Sequence, residues 1–151
     1  MAIIIVAAGN SGLRACPDVS GLRKCQTARA DPAAAILVVD DHDGFRDFAR
    51  RLLEAAGFTV AEAATGAQAT EAARCIRPRL VLLDIQLPDV DGFEVARRLA
   101  LQADGPVIVL TSTRDAADYG GRIAASPVAG FLPKDQLSGA ALREFLPEDV
   151  P

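Results

Sequence analysis

Short apolar runs alternate with segments of helical periodicity from residue 36 onward, and this alternation constrains the fold more than any other feature of the chain. Five runs have the length and composition of strands, at residues 36–39, 59–63, 80–83, 106–110 and 128–132. After the first run, apolar residues recur at helical i, i+3, i+4 and i+7 spacing from Phe45 to Ala56. Five strand-then-helix units predict an α/β fold with a parallel sheet and helices on both faces.

Several residues mark where the helices begin and end. Gly57 follows the first helical segment at the position of a C′ glycine. Thr65 is a good N-cap for a second helix, which continues to about Arg77 and is ended by Pro78. Three further helical segments are predicted, one beginning at Gly92, one over residues 115–125 and one over residues 137–145. The segment over residues 115–125 is a poor helix, because each interior glycine costs about 1 kcal/mol relative to alanine and this segment has two.

Polar side chains follow four of the predicted strands at the point where each strand ends. These residues are Asp40, Asp41, Asp84, Thr111 and Lys134. In an open α/β sheet the ligand site lies outside the carboxyl ends of the strands, so these side chains are expected to converge. Three carboxylates, a hydroxyl and an amine suit a divalent metal together with a phosphate group.

The charge and cysteine content exclude some classes of function. The chain has 16 basic and 20 acidic residues, and residues 36–151 hold 12 basic and 18 acidic ones, a net charge of −6. An acidic main body argues against direct binding of nucleic acid, which uses clustered lysine and arginine. Three cysteines without metal-ligand spacing and one histidine argue against a zinc site and favour a reducing cytoplasm.

Residues 1–35 do not follow the strand-and-helix pattern. Their first apolar run, at residues 3–8, is too short to span a membrane. The glycines at positions 9 and 12 are not followed by the Lys-Ser or Lys-Thr pair of a Walker-type phosphate loop. We therefore expect residues 1–35 to be a flexible N-terminal extension and residues 36–151 to form one domain.

Four sequence pieces, each at a strand end, together resemble the receiver domain of two-component response regulators over about residues 36–146. The pieces are Val39-Asp40-Asp41-His42 with Phe45-Arg46, Leu83-Asp84 with Leu87-Pro88-Asp89-Val90-Asp91-Gly92, Leu110-Thr111-Ser112, and Gly130-Phe131-Leu132-Pro133-Lys134. The first and the last of these four pieces are, in the form found here, most similar to those of receivers that precede a helix-turn-helix effector. The resemblance implies a flavodoxin-like, doubly wound, five-stranded sheet in the order 2-1-3-4-5. In that order the fifth strand is at an edge, where Pro133 is tolerated.

The resemblance also implies a phosphorylation site. Asp84 would be the phosphoryl acceptor, forming an aspartyl-phosphate. Mg²⁺ would be held by Asp84, by Asp41 as a direct ligand, by Asp40 mainly through water, and by the backbone carbonyl of Gln86. We expect the nearby Asp89 and Asp91 to form turns rather than to bind metal, and His42 to be an exposed residue.

Three further residues acquire roles by the same resemblance. Lys134 would neutralise the phosphoryl oxygens and Thr111 would donate its hydroxyl to them. Phe131 would be the switch aromatic. It would move into the space that the Thr111 side chain vacates and would thereby control residues 115–125. Asp135 follows Lys134 where many family members have a proline after a cis peptide bond, and we expect no cis bond here.

The resulting hypothesis is a phosphorylatable receiver that takes its phosphoryl group from a histidine kinase or a phosphotransfer protein. It would act as a switch rather than as an enzyme with turnover, signalling through its fourth-helix, fifth-strand and fifth-helix face to an output protein or to a phosphorylation-dependent homodimer. Two alternatives remain, namely a phosphate-independent interaction module and a truncated transcriptional regulator. A phosphohydrolase with an aspartate nucleophile is disfavoured, because Gln86 stands where such enzymes usually have a second catalytic aspartate.

Overall fold

The computed structural model describes residues 35–102 and 105–146. Within these residues five strands alternate with helices along the chain. The strands are β1 (Ala35–Val39), β2 (Thr59–Ala63), β3 (Leu80–Asp84), β4 (Val107–Ser112) and β5 (Gly130–Pro133). The α-helices are α1 (Asp43–Ala55), α2 (Gly66–Ile76), α3 (Gly92–Ala100) and α4 (Gly139–Arg143). Short 3₁₀-helices cover Ala116–Tyr119 and Lys134–Gln136. The extension predicted for residues 1–35 falls outside the described residues except for Ala35, which begins β1.

The strands form one parallel sheet in the order β2-β1-β3-β4-β5, which confirms the predicted topology. Asp84 is paired with Thr111 across β3 and β4, and Ser112 is paired with Pro133 across β4 and β5. Pro133 is therefore the last residue of an edge strand, a position where proline is tolerated. The register brings the carboxyl ends of β1, β3, β4 and β5 to one edge of the sheet.

Successive side chains of the central strands point to opposite faces of the sheet, so the core consists of two clusters, one on each face. Leu37 and Val39 belong to one cluster, with residues of α2 and α3 such as Leu99. Ile36 and Val38 belong to the other, with residues of α1 and α4. All of β3 is buried, as expected for a strand covered by helices on both faces.

The predicted helix ends are confirmed where the sequence carried a specific signal. Gly57 has φ +101° after α1, a conformation that favours glycine. Thr65 N-caps α2 by accepting a hydrogen bond from the N–H of Gln68 at 3.1 Å. Arg77 ends the same helix in the left-handed region, with φ 49°. None of the helices among the described residues is long and apolar enough to cross a membrane.

The fourth predicted helix, over residues 115–125, does not form as an α-helix. The 3₁₀-helix Ala116–Tyr119 takes its place and is followed by turns. Gly120 adopts φ +59°, which ends the helix after one turn. The predicted last helix is likewise shorter than expected and covers only α4. As a result, α1 and α4 cover one face of the sheet, while α2, α3 and the segment at residues 116–126 lie on the other.

Candidate functional site

Three carboxylates meet at the carboxyl ends of the two central strands. Asp84 is the last residue of β3, and Asp40 and Asp41 follow β1. The side chain of Asp40 is fully buried, that of Asp84 is 5% exposed, and that of Asp41 is 36% exposed. One ligand atom from each of these aspartates and from His42 lies within 4.8 Å of all the others. The sequence prediction that the acidic side chains converge is therefore confirmed in their geometry.

Lys134 brings a positive charge into this carboxylate cluster from the end of β5. Its Nζ lies 2.5 Å from Asp40 Oδ2 and 3.7 Å from Asp84 Oδ2. The ammonium group also lies 4.5 Å from the centre of the Phe45 ring, a favourable cation–π contact. Only 12% of the Lys134 side chain is exposed, so its ammonium group interacts mainly with the carboxylate cluster and little with solvent.

The environment of Asp84 raises the pKa of its carboxyl group. Burial, and then the charge of Asp40, raise the pKa of Asp84 from 3.8 to about 6. The charge of Lys134 and the N–H of Gln86, which donates to Asp84 Oδ1 at 3.3 Å, act in the opposite direction. A buried carboxyl with a shifted pKa and a specific cationic neighbour is characteristic of functional sites.

Thr111 lies next to Asp84 in the sheet, but its hydroxyl is directed elsewhere. The Oγ1 atom donates to the carbonyl of Leu132 on β5 at 2.7 Å. Thr111 is also almost completely buried. Thr111 thus lies beside the carboxylate cluster as predicted, but its hydroxyl is hydrogen-bonded to the edge strand β5.

The loop after β3 is tightly folded against the strand end. The N–H of Gly92 donates to the carbonyl of Ile85 at 2.8 Å, and Gln86 and Asp91 form an isolated antiparallel bridge. A Cβ atom at position 92 would lie 2.5 Å from the backbone oxygen of Asp84. Glycine is therefore required at position 92 by the close approach of the backbone that carries Asp84.

Asp89 anchors this loop to a neighbouring helix, a role that the sequence did not reveal. Its carboxylate accepts hydrogen bonds from the N–H groups of Gly66 at 2.8 Å and Ala67 at 3.1 Å, in the first turn of α2. Although partial burial alone would raise the pKa of Asp89, these N–H groups lower it below the ordinary value. The contact spans more than 20 residues of chain, so local sequence gives no signal for it.

Asp91 connects the loop to residues 116–126. It N-caps α3 by accepting a hydrogen bond from the N–H of Phe93 at 2.7 Å, and its other oxygen lies 2.8 Å from Arg122 Nη2. The Arg122 guanidinium also stacks over the Phe93 ring at 4.2 Å. Asp91 was predicted to form a turn, and the structure adds this ion pair.

Tyr119 attaches the same segment to the sheet. Its hydroxyl lies 2.7 Å from Ser112 Oγ at the end of β4. Its ring centre lies 5.9 Å from that of Phe93 and 6.3 Å from that of Phe131, the predicted switch aromatic. No sequence signal marked Tyr119 for this role, although it is the only tyrosine of the chain.

The carboxylate cluster suits a hard divalent cation. Asp40 Oδ2 is buried and accepts no hydrogen bond of good geometry within the described part of the chain, although Lys134 Nζ lies close to it. Carboxylate oxygens from Asp40, Asp41 and Asp84 are the donors that Mg²⁺ prefers. His42 is exposed, as predicted, and its Nδ1 lies 3.1 Å from Asp40 Oδ1. The residues present therefore fit Mg²⁺.

Several known proteins with similar sequences are transcriptional regulators. A putative transcriptional regulator of Pseudomonas aeruginosa is 43% identical over 101 residues, which are 66% of this chain and 48% of that protein. The DNA-binding response regulator MtrA of Mycolicibacterium smegmatis is 40% identical over 83 residues, covering 55% of this chain and 36% of MtrA. The chain thus spans half or less of the length of these relatives.

Solved structures and a family model agree on the domain. The chemotaxis response regulator CheY4 of Vibrio cholerae matches with a TM-score of 0.68 and 25% identity, over 75% of this chain and 98% of that one. The signal receiver domain of the putative response regulator NarL from Mycobacterium tuberculosis matches with a TM-score of 0.66 and 30% identity, over 74% of this chain and 95% of that one. The model of the response regulator receiver domain matches residues 36–145. The chain therefore belongs to the receiver domain family of two-component response regulators.

Proposed function

We propose that Asp84 accepts a phosphoryl group from a phosphohistidine of a sensor histidine kinase or a phosphotransfer protein. The observation that carries this proposal is the position of Asp84 in the carboxylate cluster, 3.7 Å from the Lys134 ammonium and with its pKa raised to about 6. The proposal is consistent with membership of a family of signalling domains rather than of classical enzymes.

In the proposed reaction the ionised Asp84 carboxylate attacks the phosphorus atom. A bond forms between a carboxylate oxygen and phosphorus, the phosphorus–nitrogen bond of the donor breaks, and its electron pair returns to the donor imidazole. Lys134 lies close enough to neutralise oxygens of the transferred group. Asp40, Asp41, Asp84 and the backbone carbonyl of Gln86 would hold Mg²⁺. When bound, the ion would offset the negative charge that gathers between the phosphoryl group and the carboxylates.

Phosphorylation would act as a switch through Thr111. Its hydroxyl donates to the carbonyl of Leu132 in this structure, and a phosphoryl group on Asp84 would offer it a charged acceptor instead. Phe131 precedes Leu132 and lies near the Tyr119 ring, so a shift in β5 would reach residues 116–126. The responding face would consist of this segment, β5 and α4, and would contact an output protein or a second copy of the chain.

Covalent phosphorylation by a small-molecule donor tests the proposal. With acetyl phosphate and Mg²⁺, we expect the intact mass of the wild-type protein to rise by one phosphoryl group. Hydroxylamine should remove this group because it cleaves acyl phosphates. No gain is expected for Asp84→Asn, or for the wild type in EDTA. An equal gain in Asp84→Asn would assign the phosphoryl group to another residue and contradict the proposal.

A further inference from the structure

Arg46 holds the backbone of the residue that carries the most buried carboxylate of the site. It lies in the first turn of α1, and its Nη1 donates to the Asp40 carbonyl at 2.7 Å. The guanidinium is almost completely buried, with 7% of the side chain exposed. On the other side of the same residue, the N–H of Asp40 donates to the carbonyl of Ala63 at 3.1 Å. The Asp40 backbone is thus held from α1 and from β2.

The other nitrogens of Arg46 are fixed by two acidic side chains. Nε donates to Glu62 Oε1 at 3.2 Å, and Nη2 donates to Asp43 Oδ1. Glu62 is a buried carboxylate on β2, and its second oxygen accepts from Arg50 Nε at 2.9 Å. A buried charge of this kind is stable only when it is paired and hydrogen-bonded. Glu62 and Asp43 also balance the charge of Arg46, which reduces its repulsion of a cation at the neighbouring carboxylates.

From these contacts we infer that Arg46 is a positioning residue for the cation-binding pair Asp40 and Asp41, and that Glu62 positions Arg46. Three nitrogens of one planar group have three different partners, so a lysine with a single nitrogen cannot reproduce the arrangement. The inference rests on the proposed binding of Mg²⁺ at the carboxylate cluster. Partners that orient metal ligands without touching the metal commonly change metal affinity when they are altered.

Arg50 supplies a matched control. It shares Glu62 with Arg46, and its other partners are Asp47 and Glu54 on α1. None of its ion pairs among the described residues involves Asp40 or Asp41. Replacement of Arg50 therefore disturbs the same buried carboxylate without releasing the Asp40 backbone.

Titration with Mg²⁺ followed by amide NMR tests the inference on the wild type, Arg46→Lys and Arg50→Lys. We expect Arg46→Lys to raise the Mg²⁺ dissociation constant by about tenfold or more, and to shift the Asp40 and Asp41 amide signals before metal is added. The Mg²⁺ dissociation constant of Arg50→Lys should stay within about twofold of the wild-type value, well below the effect of losing a partner that orients a metal ligand. Urea unfolding without Mg²⁺ measures the stability of each protein separately.

The outcomes separate this inference from the proposed function. Wild-type Mg²⁺ affinity in a folded Arg46→Lys, or equal losses in both variants, would overturn the inference alone. A wild-type protein that binds no Mg²⁺ would contradict the proposed function and this inference with it. If Arg46→Lys does not fold, Glu62→Met decides, because methionine has no oxygen to accept from Arg46 Nε and is expected to weaken Mg²⁺ binding by releasing Arg46. Unchanged affinity in that variant would overturn the inference.

Discussion

Replacing Gly92 with alanine is expected to lower the free energy of unfolding by about 3 kcal/mol. This value is at the upper end of the usual destabilisation when a group is added to a tightly packed site. The added Cβ would lie 2.5 Å from the Asp84 oxygen, 2.6 Å from the Ile85 Cα and 2.9 Å from the Ile85 oxygen. All three atoms belong to the backbone and cannot rotate away. Relief of the clash must therefore displace the loop and the strand end that carries Asp84, so phosphorylation by acetyl phosphate should fall as well.

Gly44 provides the control for Gly92→Ala. It lies in α1, and a Cβ there would have no atom within 4 Å apart from its own helix and chain neighbours. We expect Gly44→Ala to raise the free energy of unfolding by about 0.5–1 kcal/mol, because alanine is the better helix former. Urea unfolding of both variants gives the comparison. A Gly92→Ala protein as stable as the wild type would contradict the close approach at this loop.

Replacing Asp84 with asparagine is expected to stabilise the Mg²⁺-free protein at neutral pH by about 2–3 kcal/mol, since each pKa unit corresponds to about 1.4 kcal/mol. The pKa of Asp84 is raised from 3.8 to about 6, chiefly by burial and then by Asp40. The charged form is therefore less stable in the folded chain than in the unfolded one. An amide removes this cost and keeps the shape of the side chain.

The pH dependence of this effect has a definite sign. Between pH of about 4 and about 6 the folded state binds the Asp84 proton while the unfolded state releases it. The Asp84 contribution to stability therefore falls as pH rises through this window. Urea unfolding in EDTA across the window should show the gap between Asp84→Asn and the wild type widening with pH. A gap that is constant, or that narrows, would contradict the raised pKa.

Much of the fold could be predicted because the strands are short, apolar and separated by specific end signals. Gly57 and Thr65 marked helix ends from local chemistry alone, and the structure confirms both. Residues 115–125 were harder to predict, because their conformation depends on distant partners. Tyr119 bonds to Ser112, and Arg122 pairs with Asp91, which lies 31 residues away. Such contacts leave no periodic pattern in the segment itself.

The sequence predicted which side chains would lie together at the strand ends, but not the individual contacts that they make. Strand ends of a parallel sheet share one edge, so Asp40, Asp84 and Lys134 had to meet. Which acceptor the Thr111 hydroxyl chooses depends on a rotamer, and here it is the Leu132 carbonyl. Long-range supports such as the hydrogen bonds from α2 to Asp89 arise only after the chain has folded.

The proposed switch requires a phosphoryl-dependent change that starts at Asp84, and a beryllofluoride titration with Mg²⁺ tests for this change. Beryllofluoride stands in for the phosphoryl group on the acceptor carboxylate. Amide NMR follows every residue, and the fluorescence of Tyr119 reports on one segment because the chain has no other tyrosine and no tryptophan. We expect saturable changes at Thr111, Phe131 and residues 116–126 in the wild type and none in Asp84→Asn. A folded wild type without a response, or an equal response in Asp84→Asn, would contradict the account and favour a phosphate-independent interaction module.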